Sequence, residues 1–467
     1  MVQRAFSATG KALLAGGYLV LDPKYEAFVI ALSARMYALN SVFESEAETR
    51  LCRITVNSPQ FMNGSWSYTL DLDGLKSAGL VYPIVEKEGK RNPFIESTIL
   101  VTVGYALEKD VLNEKTKAKD IHITIFSDPE YHSQLNSVRK ESTNRSKQFL
   151  YHNKEITQVN KTGLGSSAGL VTSLTASLLS ALFADFDIAQ SSLNWKERVH
   201  NLAQVSHCKA QGKIGSGFDV ASATFGSIIY QRFSPQLIHS VLDAVSDTNA
   251  KLVDLIDNQD WNMKHELCSM PPGIRLLMGD VIGGSETPKL VTKVQNWRKE
   301  KPEYSYKVWT ELNSSNMRLV EALRKMDKLS ETDKVRYSYL LNELAKNSGE
   351  DIASSPDLAE LNQIGCAIKD IRKYLKIMTE ETGAEIEPFE QTELLNAATN
   401  IKGVLGGVVP GAGGYDAICL LVSSEKLPQI FQDTSSNPSF GHVRWMNLAE
   451  QRDGLIEESY SNFAGLI

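Results

Sequence analysis

The stretch Lys161-Thr-Gly-Leu-Gly-Ser-Ser-Ala-Gly-Leu170 carries the residue types best suited to chemistry. Gly163 and Gly165 lie one residue apart, with Leu164 between them, and Ser166, Ser167, Ala168 and Gly169 follow. Leu170, Leu174, Leu178 and Leu182 then recur every fourth residue, the spacing of one helix face. The glycines therefore precede a helix N-terminus, where free backbone N–H groups and the positive end of the helix dipole collect. Glycine lets the backbone come close to a ligand, so the loop suits an anion, most often phosphate. The serine hydroxyls suit one of two tasks, capping the helix or ligating a Mg²⁺ ion that the phosphates also hold. The same residues also make a plain glycine–serine turn closed by a serine cap.

Three general phosphate loops compete. A Walker A loop ends in Gly-Lys-Ser/Thr, whereas Gly169 is followed by Leu170. A dinucleotide fingerprint fits formally at Gly163, Gly165 and Ala168, and it calls for a strand ending in an acid about 20 residues on. Asp185 and Asp187 lie near that distance, but Phe186-Asp-Ile-Ala-Gln-Ser-Ser192 shows no strand pattern. The protein-kinase glycine loop needs H-R-D and D-F-G downstream, and neither occurs.

A fourth reading comes from resemblance. Gly163-Leu-Gly-Ser-Ser-Ala168 resembles the second motif of the GHMP kinases, Lys11-Ala-Leu-Leu-Ala-Gly-Gly-Tyr-Leu-Val-Leu21 the first, and Pro410-Gly-Ala-Gly-Gly-Tyr-Asp416 the third. The three stand in family order over most of the chain. With Gln211-Gly-Lys-Ile-Gly-Ser-Gly-Phe-Asp219, their wording is similar to the fungal branch whose acceptor is phosphomevalonate. One position departs: many relatives carry glutamate where this chain has Gly17.

The resemblance implies an α+β fold, with an α/β N-terminal domain, a ferredoxin-like C-terminal domain and the site between them. It implies transfer of the ATP γ-phosphoryl group to the phosphate of (R)-5-phosphomevalonate, a step of the mevalonate route to isoprenoids and sterols. Residues 163–169 would cradle the ATP phosphates, and Ser166 or Ser167 would help to hold Mg²⁺. Lys11 would offset phosphate charge and Asp219 would orient the acceptor. Alone, Lys11 reads as a surface charge and Asp219 as a helix cap. Substrate contacts are expected at Lys213, Ser216, Ser285, Thr287 and Lys289, with Gly411, Gly413 and Gly414 shaping the far wall. A GHMP kinase with another acceptor such as mevalonate, a dinucleotide-dependent oxidoreductase and a silent ATP-binding relative stay open as alternatives.

The elements that must position these residues read as follows. Ala12–Leu14, Tyr18–Leu21, Phe28–Leu32 and Met36–Leu39 are predicted strands, as are segments at 53–56, 66–70, 122–126 and 156–159. Helices are predicted at 93–107, after the loop, and at 193–211. Residues 132–152, with Arg139, Lys140, Arg145 and Lys147, read as a solvated loop or a lid over polyphosphate. Ser234-Pro235 marks the expected boundary between domains 1–234 and 235–467. Beyond it come a strand at 275–278, a glycine–serine turn at 279–288, helices over 306–346 and 356–383, and two strands flanking the 411–416 turn.

Composition bounds the partners. With 467 residues, the chain is long enough for two or three domains. Its net charge of −7 argues against a nucleic-acid partner. No apolar run approaches the ~20 residues of a membrane span, and the N-terminal residues lack the apolar core of a signal peptide. The five cysteines are scattered without C-x-x-C, which suits reduced thiols in a cytoplasmic monomer better than disulfides or a zinc site.

Overall fold

A computed structural model describes residues 2–44, 51–78, 86–112, 119–135, 137–190, 194–242, 248–281 and 287–467. Two sheets organise the chain. The larger runs in the order Lys264–Leu267, Ile228–Gln231, Glu26–Glu44, Lys119–Ser127, Leu51–Asn57, Ser65–Asp71, Glu86–Glu88. Val2–Ala15 pairs with Glu26–Glu44 and, on its other edge, with Ile456–Glu458. All pairs are antiparallel except Leu51–Asn57 with Lys119–Ser127. The helices Pro93–Glu108, Ser166–Leu182, Trp195–Gln211 and Phe218–Phe225 cover one face, burying Leu174, Leu178, Val199 and Leu202 against the sheet and one another. Pro93–Glu108 starts on Asn92, whose side chain accepts from the Ile95 N–H, with proline in its first turn.

The smaller sheet is antiparallel, ordered Val404–Val408, Ala417–Ser423, Ile274–Val281, Val443–Met446. In chain order its strands run 2-3-1-4, a β-α-β-β-α-β arrangement of ferredoxin-like type. The helical stretch between its first two strands is expanded to include Pro302–Thr332 and Ala359–Thr382. The α+β expectation with a ferredoxin-like second half is therefore met. The hairpin of the third motif is met as well: Val404–Val408 and Ala417–Ser423 flank the 411–416 turn and pair antiparallel.

Four local expectations are corrected. Tyr18–Leu21 is not a strand: Leu19–Leu21 is a 3-10 turn following Gly16 and Gly17. Phe28–Leu32 and Met36–Leu39 belong to one strand of 19 residues, with a register shift opposite Thr9/Gly10. Residues 156–158 form a 3-10 turn, not a strand. Within 132–152, Ser137–Glu141 and Gln148–His152 pair as a hairpin. Its Phe149 stacks on Phe126 at 4.6 Å and lies against Phe463, so this segment is anchored by the C-terminal end of the chain.

Candidate active site

The glycine loop has the geometry an anion site requires. Gly163 and Gly165 take φ values of 71° and 83°, the left-handed region open to glycine. Gly165 is the N-cap of the Ser166–Leu182 helix and supplies no side-chain cap. Ser166 and Ser167 are thus inside the first turn, not caps, and the first-turn amides are left for a ligand. Leu164 and Ala168 are buried beneath the loop. A Cβ on Gly169 would stand 2.8 Å from Met36 Cγ, so this glycine serves close helix–strand packing.

Lys11 projects from Val2–Ala15 to the same place. Its N–H donates to Leu164 O at 3.0 Å and its Nζ to Gly163 O at 2.8 Å. Asp219 comes from the first turn of Phe218–Phe225, whose N-cap is Gly217, so the cap reading of Asp219 fails. Gly165 lies between the two: a Cβ there would be 3.3 Å from Lys11 Cε and 3.9 Å from Asp219 Cβ. Burial lowers the Lys11 pKa, and the charge of Asp219 opposes that shift. Loop, lysine and carboxylate therefore converge around one point.

Two cavities touch the loop. One, of about 510 Å³, reaches Ser166 and Ser167 and is walled by Phe61, Trp66, Phe94, Ile95 and Leu170, with Lys90, Arg91 and Lys161 also on its lining. Two of its lining residues, Trp66 and His132, have buried Nε1 and Nε2 atoms with no partner among the described residues. Burial pushes His132 down to about 3, so it is neutral. The second cavity, of about 270 Å³, lies between the two sheets and is lined by Lys11, Tyr18, Gly163, Ser216, Phe218, Val291, Gly411, Ala412, Gly413 and Asp416.

The chain matches the family model described as GHMP kinases N terminal domain over residues 136–227. It is 44% identical over 470 residues to a phosphomevalonate kinase of Candida albicans, covering 100% of both chains. The chain belongs to the phosphomevalonate kinase family. A second member, from Gibberella zeae, is 35% identical, covering 99% of this chain and 98% of that one. Among solved structures, phosphomevalonate kinase of Streptococcus pneumoniae in complex with phosphomevalonate and AMPPNP superposes with a TM-score of 0.57. It is 16% identical, over 97% of this chain and 100% of the other, a likeness of fold.

The remaining expected site residues divide. Ser216, Gly411 and Gly413 line the smaller cavity. Gly414, at φ 106°, is tied to Ile386 O through its N–H at 2.9 Å, next to that wall. Lys213 and Lys289 are exposed and line neither cavity. Thr287 opens the Thr287–Glu300 helix, and Ser285 lies outside the described residues. Gly17, the departure within the first motif, has a local cause in this family member: a Cβ there would be 2.5 Å from Gly411 O.

His207 escaped the sequence reading. Its Nε2 lies 3.1 Å from Ser167 Oγ and 4.0 Å from Asp219 Oδ2, and Gln211 Nε2 is 3.2 Å away. Burial, partly offset by Asp219, lowers its pKa below the usual histidine value, so at neutral pH it holds the serine as a neutral imidazole. His207→Asn is expected to lower kcat about five- to tenfold, the worth of one hydrogen bond of ~1 kcal/mol. Steady-state rates at saturating ATP and acceptor check this; unchanged kcat would make His207 a packing residue only.

Proposed function

We propose that the chain transfers the γ-phosphoryl group of ATP to the phosphate of (R)-5-phosphomevalonate, giving 5-diphosphomevalonate and ADP. The observation that carries this reading is the convergence of Lys11, the Gly163–Gly169 loop and Asp219 between two cavities, in a chain similar along its whole length to phosphomevalonate kinases. The loop amides would hold the β- and γ-phosphates. The 510 Å³ cavity is of nucleoside size, with a largely apolar lining suited to a base. The 270 Å³ cavity would take the acceptor, its phosphate toward Lys11 and Ser216.

In the step itself an acceptor phosphate oxygen attacks the γ-phosphorus as the bond to the β-γ bridging oxygen breaks, and ADP leaves. A phosphate's second pKa is about 6, so the acceptor is already largely ionised and Asp219 positions more than it deprotonates. Lys11 balances the charge that spreads over the transferring group. Magnesium fits the donors present. Among the described residues no group of three or more His, Cys, Asp or Glu could hold a metal alone. The oxygens of Ser166, Ser167 and Asp219 are hard donors beside the phosphate loop, suited to an ion that the nucleotide also ligates. When bound, Mg²⁺ supplies charge neutralisation on the phosphates.

On the same reading the chain works as a cytoplasmic monomer; among the described residues no helix is long and apolar enough to cross a membrane. The same reading keeps the domain boundary at Ser234-Pro235; Lys264–Leu267 and Ile456–Glu458, beyond it in sequence, pair within the larger sheet. Lys213, Ser285, Thr287 and Lys289 would contact the acceptor phosphate.

ADP release from Mg·ATP, followed with phosphomevalonate, mevalonate and diphosphomevalonate in parallel, tests the assignment. Turnover with phosphomevalonate alone is expected. Turnover with mevalonate instead would overturn the acceptor, and no turnover with any of the three would overturn the reaction.

A further inference from the structure

Tyr18 has a backbone that its residue type disfavours. Its φ and ψ are 63° and −44°, and Leu19 N–H donates to Gly17 O at 2.8 Å. This is a γ-turn with positive φ at its centre, the rare and strained form. For a bulky residue a positive φ is an outlier, and such strain persists only where the surroundings over-determine it. Glycine would adopt the turn freely, and the chain has glycine at the two preceding positions. A tyrosine held here at an energetic cost points to its side chain.

That side chain is buried, and its hydroxyl donates to Ala412 O at 2.7 Å. Ala412 belongs to the 411–414 turn, carried by the smaller sheet, while Tyr18 follows the edge of a strand of the larger one. Three glycines in that turn have φ of 69°, 75° and 106°, so its own backbone sets its place weakly. Its position depends on outside ties. Gly414 N–H reaches Ile386 O, Gly411 N–H reaches Leu13 O at 3.4 Å, and the Tyr18 hydroxyl adds a side-chain tie across the cleft. The contact of Gly17 with Gly411 O leaves no room for a Cβ, so the two motifs are already in touch. Burial raises the Tyr18 pKa above the usual phenol range, which keeps the hydroxyl a donor at every working pH. Tyr18 and the turn line the same 270 Å³ cavity.

We propose that Tyr18 is a positioning residue for the phosphoryl acceptor: its hydroxyl fixes the 411–414 turn as the far wall of the acceptor cavity. Without that bond the Ala412 carbonyl loses its partner, and the turn is held on this side only by its backbone tie to Leu13. The acceptor then meets a wider pocket, while the phosphate loop on the other side is untouched. The assignment rests on the smaller cavity being the acceptor site.

Tyr18→Phe removes the hydroxyl and keeps the ring. The KM for phosphomevalonate is expected to rise about three- to tenfold, the effect of one buried hydrogen bond. The KM for ATP and kcat should stay within about twofold. A purely structural tyrosine would raise both KM values together, and that result overturns the proposal. So does an unchanged acceptor KM beside an active wild type. A wild type with no turnover on phosphomevalonate would overturn the function and this assignment together, which separates the two failures.

Discussion

Asp219→Asn is expected to lower kcat by roughly 10²–10³-fold, the lower part of the range for a positioned acid or base. The estimate follows from what the carboxylate has to do. Its substrate oxygen is largely ionised, so little of the effect is proton removal; most is orientation beside Lys11 and the loss of a charge that balances it. The variant should fold normally. The substituted amide keeps the volume and an oxygen that can accept from Val220 N–H, as Asp219 Oδ1 does at 3.0 Å. The Asp219 side chain is 23% exposed, so the amide is not forced into a dry site. A second effect has a definite sign. The Asp219 charge raises the Lys11 pKa against burial. Removing it lets that pKa fall further, and the alkaline decline of kcat/KM should move to lower pH in the variant. Steady-state kinetics across pH, with a melting curve alongside, checks both; kcat within tenfold of wild type would remove Asp219 from the chemistry.

The parts of this site legible in the sequence are those where backbone geometry dictates residue type. Gly163, Gly165, Gly411 and Gly413 all have φ values that other residues avoid, so their spacing showed through. Lys11 and Asp219 carry no such signature and were reached through the motifs around them. Tyr18–Leu21 was misread because four apolar residues suit a strand as well as a buried turn; the positive φ at Tyr18 has no marker in a tyrosine. The hairpin at 137–152 looked like solvated loop because what buries Phe149 is Phe463, more than 300 residues on. The pairing of Ala5 with Glu458 spans the chain in the same way. The larger cavity was invisible for the same reason, since Phe61, Trp66, Asn92 and His132 meet only after the sheet and helices have packed. His207, on a helix face with Val199 and Cys208 also buried, reads as a core histidine until the neighbouring helices bring Ser167 and Asp219 to it.

Lys11→Met should separate function from stability. Methionine keeps an unbranched stem in the same space but removes the one lysine that lines the smaller cavity among the described residues. Losing one fixed donor at developing charge costs about 10²–10³ in kcat, or roughly 3–4 kcal/mol. The melting temperature should not fall. Burial lowers the folded-state pKa of Lys11 below its unfolded value, so the charged form is the disfavoured one in the fold. That penalty is fully present below the folded pKa and disappears as pH rises through the unfolded pKa. At neutral pH the native lysine therefore carries a desolvation cost, offset in part by Asp219 and by its bond to Gly163 O. Its removal relieves one and forfeits the other. In the wild type the same lowered pKa means that the cation is lost at a pH below the ordinary lysine value of 10.5. The alkaline limb of kcat/KM should accordingly begin earlier than an exposed lysine would set it, and it should be absent from the residual activity of Lys11→Met. A variant that loses activity with a lower melting temperature, or one that keeps the wild-type alkaline limb, would mean that another cation serves the transferring phosphoryl group.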